Sequence, residues 1–125
     1  MAMQHSARFL ALVEAARERI RELTVHEVAA MQARGDDFLF VDVREDREWD
    51  VDRARGAVHL GKGVLERDIE GLCPDLDRPV VLYCGGGFRS VLAAESLERM
   101  GYAKVHSMAG GIRAWREAGL PRDEG

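Results

Sequence analysis

The segment with the clearest chemical potential combines a cysteine, three glycines and an arginine. Its residues are Cys84, Gly85, Gly86, Gly87, Phe88, Arg89 and Ser90. It follows the apolar run Val80–Tyr83, which predicts a strand, and it precedes a stretch with helical periodicity that ends before Gly101. Cys84 is therefore predicted at the carboxyl end of a strand, where open α/β sheets bind their ligands.

The glycines predict that this loop brings main-chain N–H groups close to the Cys84 sulfur. Glycine lets the backbone turn tightly, and a glycine loop at a helix N-terminus forms a cradle for an anion. Such a cradle stabilises a thiolate, the nucleophilic form of cysteine, and Arg89 adds a planar cation suited to oxyanions. The alternative is a buried structural cysteine, but successive glycines cost entropy and expose backbone. We therefore interpret Cys84 as a reactive nucleophile.

The composition is that of one globular domain. The chain has 125 residues, of which 46% are hydrophobic and 32% are charged. The net charge of −4 argues against a nucleic-acid-binding surface, and no apolar run approaches the length of a membrane span. Cys73 and Cys84 are the only cysteines, which favours a reducing compartment. Glu14 interrupts the apolar start of the chain, so a signal peptide is not indicated and we expect a cytoplasmic protein.

The N-terminal segment 1–20 is predicted to be an amphipathic helix outside an α/β domain at 21–125. The helical pattern itself extends over residues 6–23, with Leu23 also able to begin a short strand. Its apolar stripe contains Phe9, Leu12, Val13, Ala16, Ile20 and Leu23. Such a stripe usually packs on its own domain, and a dimer contact is the alternative. Thr24 and Glu27 then form a capping-box pair for the next helix, which is predicted from Val25 to about Arg34 with Gly35 as its end.

Downstream of this helix, strand patterns alternate with helical patterns. Strands are predicted at 38–43, 57–60, 80–83 and 104–107, helices at 45–51, 64–72, 88–100 and 111–119, and a turn at 52–56. The continuous apolar run at 38–43 indicates a strand covered on both faces. The alternation predicts an α/β fold whose mostly parallel central sheet is flanked by helices on both faces.

Asp42 and Arg44 come at the carboxyl end of the predicted strand 38–43, on the same edge of the sheet as Cys84. Charged residues at strand ends more often fix loops through hydrogen bonds and ion pairs than take part in catalysis, so we expect supporting roles for both. His59 and His106 have no spacing to the cysteines that matches a metal site. We expect neither a metal nor a cofactor.

Four motifs, in this order, resemble the single-domain rhodaneses, which are sulfurtransferase domains. They are Asp42-Val43-Arg44-Glu45 with Glu48-Trp49, Gly56-Ala57, the segment 84–90, and Gly110-Gly111-Ile112 with Ala114-Trp115 and 118–121. The resemblance covers about residues 23–121 and implies a single rhodanese-like domain with an extra N-terminal helix. The chain departs from the family at 52–55, where relatives usually have Gly-His-Ile-Pro, and this difference bears on substrate choice.

The resemblance implies an enzyme that moves a sulfane sulfur through a persulfide on Cys84. The donor would be thiosulfate or another persulfide, and the acceptor cyanide, a low-molecular-weight thiol or a protein. The N–H groups of residues 85–90 would hold the persulfide, and Arg89 would orient the donor's anionic group. In this family, sulfur-transferring loops have four residues between the cysteine and the arginine position, whereas related phosphatases have five. Residues 85–88 are four.

Two other functions stay open at this point. One is a small cysteine-dependent phosphatase or arsenate reductase that uses the same thiolate. The other is a non-enzymatic module that carries a persulfide and docks on a partner through the N-terminal apolar stripe. We expect no nucleic-acid or membrane partner, and either a monomer or a homodimer. Cys73 is either an inert thiol, which we favour, or a resolving thiol for Cys84.

Overall fold

The computed structural model describes residues 5–125, so the first four residues of the predicted segment 1–20 lie outside the described part. Its strands are β1 (Arg21–Leu23), β2 (Leu39–Asp42), β3 (Asp52–Ala54), β4 (Val58–His59), β5 (Val80–Tyr83), β6 (Val105–Met108) and β7 (Arg122–Glu124). Its helices are α1 (Ala7–Arg17), α2 (Val25–Arg34), α3 (Asp46–Val51), α4 (Leu65–Leu72), α5 (Arg89–Arg99) and α6 (Gly111–Glu117). Within residues 5–125, no helix is long and apolar enough to cross a membrane.

Five of the strands form one parallel sheet in the order β1-β6-β5-β2-β4. The predicted α/β fold is therefore confirmed. Strands β5 and β2 are neighbours in the centre of the sheet, and their register pairs Tyr83 with Asp42. As a result, the residues that follow these two strands, Cys84 and Val43, lie side by side at the carboxyl edge.

The central strands are buried on both faces, as their continuous apolar runs predict. Along β5, Val80 and Leu82 belong to the core that α1, α4 and α5 cover. The intervening Val81 and Tyr83 belong to the core that α2 and α6 cover. Because side chains alternate between the faces of a strand, Cys84 continues the first set and lies on the side of α5.

The predicted helix boundaries around α2 are confirmed in detail. The Thr24 Oγ1 atom accepts a hydrogen bond from the Glu27 N–H at 3.1 Å, and the Glu27 carboxylate accepts one from the Thr24 N–H at 3.0 Å. Gly35 ends the helix with a φ of 73°, a left-handed conformation that glycine adopts at little cost.

The predicted N-terminal helix is too long at its C-terminal end. Helix α1 ends at Arg17, and residues 21–23 form β1, which pairs with β6 at one edge of the sheet. Ile20 and Leu23 keep their helical spacing in the sequence and are both buried, which is why periodicity extends the helix through them. The pairing with β6 is a non-local interaction, and here it overrides local helical propensity.

The apolar stripe also differs from its prediction at Leu12, which is 62% exposed. Val13 and Ala16 are fully buried in the core, where α1 packs against α5. The stripe therefore packs mainly on its own domain, as predicted, and its members Val13 and Ala16 are not available to a partner in this structure.

The predicted turn at 52–56 contains a short strand instead. Strand β3 pairs antiparallel with β7, in a small sheet separate from the central one. The carboxylate of Asp52 accepts hydrogen bonds from Arg116 and Arg122. The hydrogen bonds from Arg116 are the largest influence on the Asp52 pKa, which lies well below its usual range. The three residues of β3 pair with residues 68 to 72 positions later in the chain, so no local pattern predicts this strand.

Candidate active site

The Cys84 sulfur lies at the floor of a surface cavity and is surrounded by main-chain donors. The residue is only 1% exposed, yet it borders a cavity of about 860 Å³. The Sγ atom accepts hydrogen bonds from the N–H of Gly87 at 3.2 Å and from the N–H of Ser90 at 3.4 Å. Of the six N–H groups predicted to form the cradle, these two bond to the sulfur in the structure. Both lie at or just before the start of α5, where the helix dipole also favours negative charge.

A buried pair of serines lies behind the sulfur. The Ser90 Oγ atom is 3.5 Å from the Cys84 Sγ and 2.7 Å from the Ser107 Oγ on β6. Both serines are fully buried, so each hydroxyl depends on these neighbours for its hydrogen bonds. Sequence reasoning identifies Ser90 but misses Ser107, because only the pairing of β6 with β5 brings the two side chains together.

Arg89 is held by a two-point ion pair with Glu48 of α3. The two guanidinium nitrogens lie 2.9 and 3.1 Å from the two carboxylate oxygens, and this hydrogen bonding lowers the pKa of Glu48 and raises that of Arg89. The Glu48 carboxylate also accepts a hydrogen bond from the Glu45 N–H at 3.1 Å, which fixes it at the start of α3. A Cβ added to Gly85 would lie 3.1 Å from an Arg89 nitrogen. The glycine thus leaves room for the guanidinium above the loop.

Asp42 and Arg44 form a buried ion pair beside the loop. The Arg44 guanidinium donates two hydrogen bonds to the Asp42 carboxylate from Nε, at 3.1 and 3.0 Å, and one from Nη2, at 2.8 Å. Arg44 also donates to the main-chain oxygen of Asp52 at 2.6 Å. A ring nitrogen of His59 lies 2.8 Å from the carbonyl oxygen of Arg44. These contacts fix the chain that follows β2, which forms one side of the cavity.

The loop between β5 and α5, residues 84–88, is called the catalytic loop below. The start of α6 fixes it from the other face of the sheet. The N–H of Ile112 donates to the Cys84 carbonyl at 2.9 Å, and the N–H of Arg113 donates to the Gly85 carbonyl at 3.1 Å. Gly111 has a φ of 55°, and an added Cβ there would collide with the Cys84 carbonyl oxygen. The sequence predicts Gly111 as a helix start, whereas the structure shows that it also makes space for the loop.

Helix α1 and the two residues before it reach the same cavity. His5, Ser6 and Phe9 line it together with Phe88. The Phe88 ring lies 4.6 Å from the His5 ring and 6.4 Å from the Phe9 ring, measured between centroids. The Arg17 guanidinium lies 5.2 Å from the centre of the Phe88 ring. Residues from the predicted extra helix therefore form a wall of the site, which the sequence pattern does not indicate.

Cys73 lies far from Cys84 in the fold. Its carbonyl accepts a hydrogen bond from the Tyr102 hydroxyl at 2.6 Å, and Tyr102 follows the C-terminal end of α5. Cys84 precedes the N-terminal end of the same helix, whose 11 residues span about 16 Å at 1.5 Å per residue. Because the two cysteines lie near opposite ends of α5, the structure favours the inert interpretation of Cys73.

Comparison with known proteins identifies the family that this chain resembles. The family model for the rhodanese-like domain matches residues 24–118. A thiosulfate sulfurtransferase, GlpE of Actinobacillus succinogenes, is 34% identical over 85 residues, which are 68% of this chain and 75% of that protein.

Two solved structures extend the similarity to nearly the whole chain. A protein of unknown function from Rhodopseudomonas palustris, described as a possible tyrosine phosphatase, has a TM-score of 0.85 and 32% identity, and the match covers 98% of this chain and 99% of that one. A polysulfide-sulfur transferase homodimer from Wolinella succinogenes has a TM-score of 0.80 and 28% identity, covering 94% and 88% of the two chains. The chain therefore belongs to the rhodanese-like domain family and is a rhodanese-type sulfurtransferase.

Proposed function

We propose that Cys84 accepts a sulfane sulfur from thiosulfate or another persulfide donor and passes it to a thiophilic acceptor. The acceptor is cyanide, a low-molecular-weight thiol or a protein. The observation that carries this proposal is the pair of main-chain N–H groups, from Gly87 and Ser90, that bond to the Sγ atom at the floor of an open cavity. Such donors stabilise a sulfur anion in each state of a two-step covalent mechanism.

The first half-reaction loads the cysteine. The Cys84 thiolate attacks the sulfane sulfur of thiosulfate, the sulfur–sulfur bond of the donor breaks, and sulfite leaves with the bonding electron pair. Cys84 then carries a persulfide. In the second half-reaction the acceptor attacks the terminal sulfur, and Cys84 is released as the thiolate that began the cycle. The cycle uses no external oxidant or reductant, and none of its steps calls for a metal.

The other predicted site residues have distinct roles in this proposal. Gly85 and Gly86 shape the loop, and Gly85 admits the Arg89 guanidinium. Phe88 closes the cavity against α1. Arg89, which is partly exposed, binds the anionic group of the donor, and Ser90 places an N–H and a hydroxyl beside the sulfur. Asp42 and Arg44 support the loop after β2 without touching the donor.

Sulfur uptake tests this function directly. Incubation of the protein with thiosulfate, followed by intact-mass spectrometry, should show a gain of one sulfur atom, which cyanide then removes. The same measurement with an organic persulfide or polysulfide ranks the donors. If no sulfane donor adds mass to the protein, the proposal is wrong.

The phosphatase alternative has one observation in its favour, the similarity to the Rhodopseudomonas palustris protein. The loop argues for sulfur transfer, since a ring with four residues between Cys84 and Arg89 suits a sulfur atom better than a phosphate group. Hydrolysis of an aryl phosphate that disappears in Cys84→Ser would support the phosphatase. A persulfide that forms but passes to no acceptor would instead support a carrier module.

Replacing Arg89 by alanine should slow loading from thiosulfate more than it slows discharge to a neutral thiol. The expected fall in kcat/KM for thiosulfate is about tenfold to a hundredfold, the range for losing a charge-assisted hydrogen bond to an anion. Pre-steady-state loading and discharge, each followed by mass, separate the two half-reactions. The Arg89→Lys variant, which keeps the charge but loses the planar fork, should fall between wild type and alanine. Equal losses in both half-reactions would contradict this role.

The proposal also covers the oligomeric state and the cellular location. The Wolinella succinogenes relative is a homodimer, and sedimentation of this protein distinguishes a monomer from a homodimer. We propose a cytoplasmic location because the chain has two cysteines and, in the described structure, both are free.

A further inference from the structure

A buried serine on β6 extends the hydrogen bonding of the Cys84 sulfur by one more group. The Ser107 Oγ atom lies 2.7 Å from the Ser90 Oγ, which in turn lies 3.5 Å from the Cys84 Sγ. Ser107 stands opposite Leu82 in the pairing of β6 with β5. The three polar side chains therefore form a chain of hydrogen bonds that runs from β6 through the start of α5 to the nucleophile.

The two hydroxyl groups constrain each other because bulk water does not reach them. Ser90 and Ser107 are fully buried. Across residues 5–125, Ser90 is the one hydrogen-bonding partner of the Ser107 hydroxyl. A serine side chain otherwise has three staggered positions to choose from, but a buried polar group without a partner is costly. The contact with Ser107 thus holds the Ser90 oxygen in the position from which it reaches the sulfur.

The protonation state of Cys84 decides whether every proton in this chain has an acceptor. A thiolate only accepts, so the Ser90 hydroxyl donates to the sulfur and the Ser107 hydroxyl donates to the Ser90 oxygen. Both protons then have an acceptor. If a Cys84 thiol donates to Ser90 instead, one of the two hydroxyl protons is left without an acceptor among residues 5–125. The buried pair therefore stabilises the thiolate relative to the thiol.

We propose that Ser107 is a positioning residue for sulfur transfer, which donates a hydrogen bond to Ser90 and so aims the Ser90 hydroxyl proton at the Cys84 thiolate. This inference rests on the proposed sulfur-transfer function. The same thiolate attacks the sulfane sulfur during loading and is released during discharge, so Ser107 assists both half-reactions. In this respect it differs from Arg89, whose proposed role concerns anionic donors. A hydroxyl that accepts a hydrogen bond is also a stronger donor, which adds to the effect.

Alkylation of Cys84 by iodoacetamide tests this role without using the sulfur-transfer reaction, because only the thiolate reacts. Over a range from about pH 5 to about pH 9.5, which extends above the ordinary ionisation of a thiol, the two proteins should differ only at the acidic end. There, wild type should react about threefold to tenfold faster than Ser107→Ala, the range for the net contribution of one hydrogen bond. Loading from thiosulfate, followed by intact mass, should show the same trend. Mapping of the labelled peptides separates Cys84 from Cys73.

The dependence on pH distinguishes positioning from a structural effect. A displaced loop would slow alkylation by the same factor at every pH, whereas a less stabilised thiolate slows it only where the thiol competes. The charged side chains around the cavity are kept in all variants, so they contribute equally to each profile. They include His5, Arg44, Glu48, Arg89, Arg113 and Arg116.

Ser107 acts through Ser90, so its effect should disappear when residue 90 has no hydroxyl. Ser90→Ala keeps the main-chain N–H that bonds to the sulfur and should slow alkylation at the acidic end at least as much as Ser107→Ala. Adding Ser107→Ala to Ser90→Ala should cause no further loss, since substitutions within one hydrogen-bond network are not additive. Ser96→Ala is the matched control. It removes the hydroxyl of a half-buried serine farther along α5 and should leave the profile unchanged.

Sulfur uptake and alkylation together decide which of the two proposals fails. A wild-type protein that takes up no sulfur from any donor would overturn the proposed function, and with it this role in sulfur transfer. A wild-type protein that loads normally, but whose alkylation exceeds that of Ser107→Ala by the same factor at every pH or by none, would overturn this inference alone. So would a further loss when Ser107→Ala is added to Ser90→Ala, or a loss in Ser96→Ala as large as that in Ser107→Ala.

Discussion

Replacing Cys84 by serine should abolish sulfur uptake and reduce sulfur transfer by at least about a thousandfold, the order of loss when the nucleophile of a covalent mechanism is removed. Serine is nearly isosteric and keeps a group that can accept from the N–H groups of Gly87 and Ser90. The fold should therefore persist, while the hydroxyl forms no persulfide. Intact mass after incubation with thiosulfate measures uptake, and circular dichroism checks the fold.

Cys73→Ser is the matched control for this experiment. Cys73 is also buried, but its main chain is fixed near the C-terminal end of α5 through Tyr102. The variant should keep full sulfur uptake, although its stability can decrease slightly because the thiol is packed in the core. Uptake that persists in Cys84→Ser and is lost in Cys73→Ser would show that Cys73 is the nucleophile and that the assignment to Cys84 is wrong.

Replacing Gly111 by alanine should both destabilise the protein and inactivate it. The new Cβ would collide with the Cys84 carbonyl oxygen and lie 2.8 Å from the Gly85 carbonyl carbon and oxygen. All three are main-chain atoms that cannot rotate away. With the left-handed φ at this position, the expected loss in the free energy of unfolding is roughly 2–5 kcal/mol. The displaced loop would also move the sulfur relative to its donors, at an expected cost of about a hundredfold in activity.

Gly71→Ala provides the contrasting substitution. Gly71 lies within α4, and a Cβ there meets no atom within 4 Å. Because alanine is the better helix former, this variant should be more stable than wild type by about 0.5–1 kcal/mol, with unchanged sulfur transfer. Urea unfolding of the two variants gives the comparison. If Gly111→Ala unfolds at the same urea concentration as wild type, the close approach between α6 and the catalytic loop is not as described.

The central part of the fold is predictable from sequence because its signals are local. The apolar runs around Val41 and Val81 are continuous, as buried parallel strands require, and the glycines after Cys84 mark a loop between a strand and a helix. Thr24 and Glu27 predict the start of α2, and the structure forms both of their hydrogen bonds.

The parts that sequence reasoning misses depend on long-range contacts. The edge strand β1 forms because it pairs with its neighbour β6, where Leu23 lies opposite Met108. The apolar spacing of its residues is the same as that of a continuing helix. Glu48 and Ser107 become part of the site only when α3 and β6 are brought next to the loop. No local pattern encodes these distances, so only the assembled fold identifies the partners of Arg89 and Ser90.

The choice of main-chain donors for the sulfur has a consequence for how this protein tolerates mutation. Every residue type except proline carries an N–H group, so a substitution that fits the buried site, such as Ser90→Ala, would keep the main-chain N–H hydrogen bond to the sulfur. The capacity to hold the sulfur is therefore encoded in backbone shape more than in side-chain identity. Side chains around the rim can diverge during evolution, and alter which molecules enter, while the underlying chemistry is inherited intact.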